Sequence, residues 1–346
     1  MGGVESNKIK NMNPRNIANQ NFWKQNRGKL QEEIKQNFFL KEAIKSLNSF
    51  HSKFSKVQIA PEYKDGDSHF RISSDSERQL FKLLLSNRVK KDTCYLYRYL
   101  STSSFQHIIE EGTITMSSIV SMNDKTECDF ANNFVREGVG NNNFFTLPND
   151  VVNTYISSFS TKDDNLFLWN MYASDCEGVE LIFENKIEEK KDFILSPVVY
   201  AEKNRFVELN YIKRLLKRKY NGKYFQLKNW NYWQYFFKPI FYKEEAEIRL
   251  IYLPSDIRNL NRSWVKGNTG VEFPLVKFRL FDNWKKDLEY QNLKKYPLTL
   301  KGIKLGPLFP ERTTNIETIK ERLQEYCQQS IKIKISPSSI NNYRGK

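Results

Sequence analysis

The spacing of apolar and polar positions along this chain changes near residue 94. Before that point, apolar residues recur every third or fourth position, as in FFLKEAIKSLNSFHSKF (38–54) and SERQLFKLLLSNRVKK (76–91). That period gathers them on one face of a helix. Between these stretches PEYKDGDSHF (61–70) carries Pro61 and a Lys-Asp-Gly-Asp run, turn chemistry that predicts a loop. Asn, Lys, Gln and Ser dominate residues 1–36. Residues 1–93 are therefore expected to form a basic helical N-terminal appendage of two or three helices without catalytic residues.

From Cys94 the period becomes two. CYLYRYL, TITMSS, TYISSFST, GVELIFE, SPVVYAE, EIRLIYL, VKFRLFD, TLKGIKLG and SIKIKIS read as strands. Helices fall between them. STSSFQHIIEEG begins on hydroxyls and stops at Gly112, NLFLWNMYAS follows Asp163 and Asp164 as candidate caps, and NIETIKERLQEYC precedes the last strand. RFVELNYIKRLLKRKYNGKYFQLKNWNYWQYFFKPIF (205–241) reads as a long helical, basic and aromatic stretch. Strands dominate, and helices do not alternate with them regularly. This predicts an α+β fold of mixed, mostly antiparallel sheets with inserted helices over 94–346, including a basic aromatic insertion at about 203–243. No internal repeat and no glycine-rich phosphate loop after a strand is present.

Composition narrows the class. No apolar run approaches the roughly 18 residues that cross a bilayer, and the first residues lack an apolar signal core. The four cysteines are scattered and the three histidines lie apart from them, which excludes a zinc spacing and a disulfide framework. A soluble, cytoplasmic protein without metal or membrane association is expected. The formal charge of +15 is uneven. Residues 94–185 hold 4 Lys/Arg against 13 Asp/Glu, whereas 1–93 hold 18 against 10 and 186–346 hold 33 against 17. Basic blocks around an acidic one suit a surface that meets a polyanion.

Three strands carry polar residues that an apolar strand does not need: Arg98 in CYLYRYL, Ser158 and Ser160 in TYISSFST, Glu245 and Glu247 in EEAEIRLIY. They also read as the wet faces of half-buried strands, with Lys243 and Arg249 as salt partners of the glutamates. Two like charges on one strand face are a poor arrangement for stability alone. In order and strand context, Arg, Ser-x-Ser and Glu-x-Glu resemble the active site of ADP-ribosyltransferases, enzymes that break the nicotinamide–ribose bond of NAD and transfer ADP-ribose. Residues 94–346 also resemble the bacterial family called domain of unknown function 2971. That resemblance rests on LYRYLS, on SSIVSMND with Asn123 and Asp124, and on ISSFSTKDDNLFLWNMYAS and EGVELIFE. It continues in IKLGP, in KIKIS, and in a Lys, Glu-x-Glu-x-Arg run, FKPIFYKEEAEIRLIY, whose spacing is close to the family's. Lys125 stands where that family commonly has proline.

The ADP-ribosyltransferase resemblance implies NAD as co-substrate and a role for each residue. Glu247 stabilises the oxocarbenium-like ribose and holds its 2′-hydroxyl. Glu245, expected on the same strand face, accepts the proton of the incoming nucleophile. Arg98 grips the pyrophosphate or the nicotinamide-side ribose with its planar fork, or else packs its stem under Tyr95, Tyr97 and Tyr99. Ser158 and Ser160 order the NAD-binding sheet or reach the glutamate. Trp169 and Tyr172, three apart on a helix, stack on nicotinamide or base, or pack in the core. Asn123 and Asp124 bind ribose hydroxyls, or are ordinary turn chemistry.

The acceptor is read from YIKRLLKRKYNGK (211–223), with Lys213, Arg214, Lys217, Arg218, Lys219 and Lys223, followed by eight aromatics from Tyr224 to Phe237. Cations beside aromatics are the composition of single-strand surfaces. An amphipathic helix with solvated cations and core aromatics has the same composition. The expectation is an NAD-dependent ADP-ribosyltransferase of toxin or phage-defence type acting on DNA, RNA or a nucleic-acid-bound protein, with a neutralising or sensor protein as a further partner. The alternatives are an NAD glycohydrolase using the same site and a non-enzymatic nucleic-acid-binding defence protein.

Overall fold

The structure, a computed structural model, describes residues 61–65, 69–72, 74–86, 94–119, 130–131, 153–186, 192–201, 224–226, 230–255, 260–266, 272–282, 284, 288–326 and 333–340. These belong to one compact unit, Val57–Lys346. Its elements are β1 (Pro61–Asp65), β2 (His69–Ile72), α1 (Ser74–Ser86), β3 (Tyr95–Leu100), α2 (Thr102–Glu111), β4 (Thr113–Ser118), β5 (Tyr155–Ser160), α3 (Leu166–Tyr172) and β6 (Val179–Glu184). There follow β7 (Phe193–Pro197), β8 (Val199–Ala201), β9 (Tyr224–Gln226), α4 (Trp230–Trp233), β10 (Phe237–Pro239) and β11 (Glu247–Tyr252). The last are β12 (Arg262–Lys266), β13 (Glu272–Arg279), α5 (Leu288–Asn292), β14 (Thr299–Leu305), α6 (Arg312–Tyr326) and β15 (Lys334–Pro337).

The fold is α+β, and most strand pairs are antiparallel, as the pattern predicts. Among the described residues a ten-stranded sheet runs β12-β13-β4-β5-β3-β6-β14-β15, with β11 pairing both β5 and β7. Alternation sorts its side chains into two layers. Leu96, Tyr155, Phe159, Leu181, Phe183, Ile248, Leu250 and Ile303 face a large core shared with Phe105, Ile108 and Ile109 of α2 and Ile319 and Leu323 of α6. On the opposite face Tyr99 packs with Leu168, Trp169 and Ala173 in and just after α3.

Local chemistry sets the boundaries. Ser101 caps α2, its hydroxyl accepting from the Ser104 amide at 3.2 Å. Gly112 ends it at φ 67°, and a Cβ there would lie 2.3 Å from Trp284. Gly178 opens β6 so close to β3 that a Cβ would lie 2.1 Å from the Leu100 carbonyl oxygen. Neither Asp163 nor Asp164 caps α3. Asn165 does, accepting from the Leu168 amide at 3.3 Å, while the Asp164 carboxylate is taken by Trp169 Nε1, Ser338 and Ser339.

Two expectations near the edges are corrected. Where described, the loop predicted over 61–70 is instead the antiparallel strand pair β1–β2, a pairing that an Asp-Gly signal in the sequence also fits. The helix predicted over 205–241 is interrupted where described by β9, β10 and short helical turns. Of its aromatics, Tyr232, Trp233, Phe236 and Phe237 are buried, whereas Phe241 at its end is exposed. Trp233 is fully buried and stacks on Phe81 of α1 at 4.5 Å between ring centroids, and α1 itself lies against β7. No described helix is long and apolar enough to cross a membrane.

Candidate active site

The serine strand forks. Along one edge β5 pairs with β11 over six residue pairs, from Glu247 opposite Ser160 to Tyr252 opposite Tyr155. Its other edge is shared. Tyr97 opposite Ser160 joins it to β3, while Ile156 and Tyr155 join it to Ser117 and Ser118 of β4. At this fork lies a cavity of about 460 Å³ lined by residues of β3, β5, α3, β10 and β11, including Arg98, Ser158, Ser160, Tyr172, Glu245 and Glu247. Its size is that of a small-molecule or cofactor site.

Two glutamates meet there by a route that strand alternation does not describe. Glu247 is the first residue of β11, but Glu245 ends a 3₁₀ turn, Ile240–Glu245. Ala246 between them is in the left-handed region, φ 46° and ψ 48°, an uncommon place for a residue with a Cβ. The carboxylates are joined by Lys238 of β10, whose Nζ donates to Glu245 Oε2 at 2.6 Å and to Glu247 Oε2 at 3.1 Å. The same ammonium lies 4.6 Å from the Tyr242 ring centroid. Arg249 Nε donates to Glu247 Oε1 at 2.6 Å, and its Nη1 to the Tyr235 carbonyl at 2.5 Å. The repulsion expected between the glutamates is thus offset by two buried cations.

Burial by itself would raise the Glu247 carboxyl. The charges of Arg249 and Lys238, with hydrogen bonds from Arg249 and Ser158, overcome it and hold Glu247 at about 2. It is ionised at any physiological pH. Glu245 is fixed from its other side by the Tyr172 hydroxyl, which donates to Oε1 at 2.7 Å. Ser160 donates to the Glu245 carbonyl at 2.7 Å and accepts from the Lys162 amide at 3.0 Å, tying the end of β5 to the turn that carries Glu245.

Arg98 shares its strand face with Leu96 and Leu100, so its side chain starts on the large-core side of the sheet. There Nη1 donates to Ser157 Oγ at 3.3 Å. Burial lowers its guanidinium from the ordinary value, and the nearby Tyr296 hydroxyl acts in the opposite sense. It lines the cavity together with Ser160 and Glu247, which lie on the other face, because the sheet is forked at this point.

Other expected site residues fall elsewhere. Trp169 is fully buried, edge-on to Tyr99, with Nε1 donating to Asp164 Oδ1 at 2.8 Å. It packs the interior and does not line the cavity, so its expected cofactor contact is corrected. Tyr232, Trp233, Phe236 and Phe237 are likewise buried and present no stacking surface. Asn123 and Asp124, and Lys213, Arg214, Lys217, Arg218, Lys219 and Lys223, lie outside the described residues. The salt partner expected in Lys243 is Lys238 instead. Lys238 was not singled out in the sequence, although a lysine in an apolar, aromatic run is itself a signal.

A second buried polar cluster occupies the same sheet face. Glu180 of β6 is fully buried. Lys304 of β14 bonds Asp163 and approaches Glu180 Oε2 at 3.3 Å and Asp164 Oδ2 at 3.9 Å. Asp164 also accepts from Ser338 Oγ at 2.6 Å and from the Ser339 amide and hydroxyl at 2.6 and 2.7 Å. Burial pushes the Glu180 carboxyl up to about 7, against the lowering charge of Lys304.

The fork thus brings an arginine strand, a serine strand and a glutamate strand around one cavity. No protein-family model, no curated protein and no solved structure matches this chain.

Proposed function

We propose that this chain is an NAD-consuming ADP-ribosyltransferase working from the forked cavity. The observation that carries the reading is the meeting of Arg98, Ser158, Ser160 and Glu247, from three neighbouring strands, in one cavity of about 460 Å³. The charged side chains lining it are Arg98, Lys238 and Arg249 against Glu245 and Glu247, a formal excess of one positive charge. That balance suits a dinucleotide with two phosphates. Glu247, with each oxygen held by a cation, offers a fixed negative charge to the ribose as its bond to nicotinamide breaks. It needs no reorganisation at that moment. Arg98 is the pyrophosphate or ribose clamp, and Ser158 orients Glu247. Tyr172 is the exposed aromatic at the cavity, where nicotinamide leaves.

The acceptor proposed is nucleic acid or a nucleic-acid-bound protein in the cytoplasm. The support is the charge of +15 and the six cations of residues 211–223. A toxin or phage-defence role follows from the toxicity of NAD consumption. The test is incubation with NAD labelled in the adenylate moiety, in separate DNA, RNA and protein pools. Transfer of label to one pool with nicotinamide release is expected, and neither occurring in any pool would remove the reading. An NAD glycohydrolase would release nicotinamide and leave every pool unlabelled. A non-enzymatic reading has one observation in its favour: the four charges of Lys238, Glu245, Glu247 and Arg249 pair with one another, which a purely structural cluster also requires.

A further inference from the structure

The two donors that hold Glu245 are unlike. Lys238, on Oε2, has a side chain 5% exposed and is fixed a second time by Glu247 and a third by the Tyr242 ring. Tyr172, on Oε1, is 46% exposed and sits on the last residue of the seven-residue helix α3. The carboxylate between them is itself 10% exposed. Of the two side chains that donate to the Glu245 carboxylate, Tyr172 is the one open to solvent. A hydroxyl is also a donor of the kind that a nucleophilic acceptor, an alcohol or an N–H, brings with it.

We propose that Tyr172 sets the balance between transfer and hydrolysis: its hydroxyl occupies, on Glu245 Oε1, the place that the acceptor's own O–H or N–H takes during the reaction. This rests on the NAD reading above. In the step, the bond from ribose C1′ to the nicotinamide nitrogen breaks, and its electron pair leaves with nicotinamide. A lone pair on the acceptor oxygen or nitrogen forms the new bond to C1′, and the acceptor's proton passes to Glu245 Oε1. A bound acceptor displaces the Tyr172 hydroxyl through its many contacts. A single water molecule does not, so water is disfavoured as nucleophile while Tyr172 is in place. Tyr172 is thus a specificity-determining residue, and Glu245 is the group that receives the proton.

The experiment is Tyr172→Phe in the full chain, measured as nicotinamide release from NAD in buffer with no acceptor added. Loss of a hydrogen bond to a carboxylate should raise that rate by about threefold to tenfold over wild type. The ring is kept, and any loss of stability from the missing hydrogen bond is read separately by thermal unfolding, so a merely structural role predicts an equal or lower rate. The double variant Tyr172→Phe with Glu245→Gln should lose the rise. Wild-type transfer of labelled ADP-ribose to DNA, RNA and protein pools, in the same preparations, reports separately on the NAD reading. Transfer by wild type with no rise in Tyr172→Phe overturns this proposal alone. No transfer and no release by any of the proteins overturns both.

Discussion

Two buried polar clusters share one face of the central sheet, and they solve the same electrostatic problem differently. Around Glu247 two carboxylates face two cations, Lys238 and Arg249, and the glutamate is held at about 2. Around Glu180 one cation, Lys304, is divided among Asp163, Asp164 and Glu180, and the glutamate is held up at about 7. Both carboxyls are buried, so burial does not explain the contrast. The number of cations per carboxylate does. The balanced cluster keeps its charge and lines a cavity. The one short of a cation takes up a proton where the other keeps a charge.

The largest expected effect comes from unbalancing the balanced cluster. Arg249→Met leaves Glu247 with only Lys238 in a buried site, and should cost about 3–5 kcal/mol, read as a lower urea midpoint with unchanged slope. A midpoint within experimental error of wild type would mean that the pair contributes no stability. Next is Glu247→Gln, which keeps shape but removes the fixed charge. On the proposed function it should lower transfer from NAD by roughly 10²–10³ in kcat, the scale of losing one preorganised electrostatic contact. Equal activity in this variant would take Glu247 out of the mechanism.

The unbalanced cluster should show itself through pH. Glu180 is raised in the folded chain from an ordinary 4.5 to about 7. Between those values the folded state binds a proton that the unfolded state has released. Stability from this group is complete below pH 4.5 and is lost as pH rises to about 7, a fall of about 3 kcal/mol. Glu247, depressed from 4.5 to about 2, has the opposite sign. Its contribution is present above pH 4.5 and is lost as pH falls toward 2. Urea midpoints across pH should therefore descend on both sides of about pH 4.5, and Glu180→Gln should flatten the alkaline side alone. The smallest effect belongs to Asp163→Asn. It returns Lys304 to Glu180 and should move the alkaline descent to lower pH, at under about 1 kcal/mol because Asp163 is half exposed. A descent that does not move would place the control of Glu180 elsewhere.

The site was legible in sequence wherever its meaning stays within one strand. Arg98, Ser158, Ser160 and Glu247 are polar interruptions of apolar alternation, and period two places each without knowledge of the partner strand. Glu180 in GVELIFE and Lys304 in TLKGIKLG carry the same mark but were not singled out. Their significance lies in facing each other across β6 and β14, and register between distant strands is not a local property. Lys238 was missed for a related reason. It comes from β10 and crosses to the glutamates over a 3₁₀ turn that ends on a left-handed alanine, a conformation no glycine announces. Trp169 and Tyr172 share helical spacing yet separate into core and cavity, because α3 stops at Tyr172 and leaves its last side chain outside. The strand-rich architecture itself was read correctly from the change of period at Cys94.

The anchoring of Asp164 has a consequence for the order in which a newly made chain matures. Three of its hydrogen bonds come from Ser338 and Ser339, and Ser338 is synthesised 174 residues after Asp164. At about 5–20 residues per second a ribosome needs roughly 10–35 s to cover that distance. During that interval β3, β5 and β6 have emerged, yet the segment leading into α3 lacks the residues that fasten it. The helix that carries Tyr172 at its far end is thus fastened at its start by residues made late among those described. That side of the cavity is fastened only after most of the sheet around it has been made.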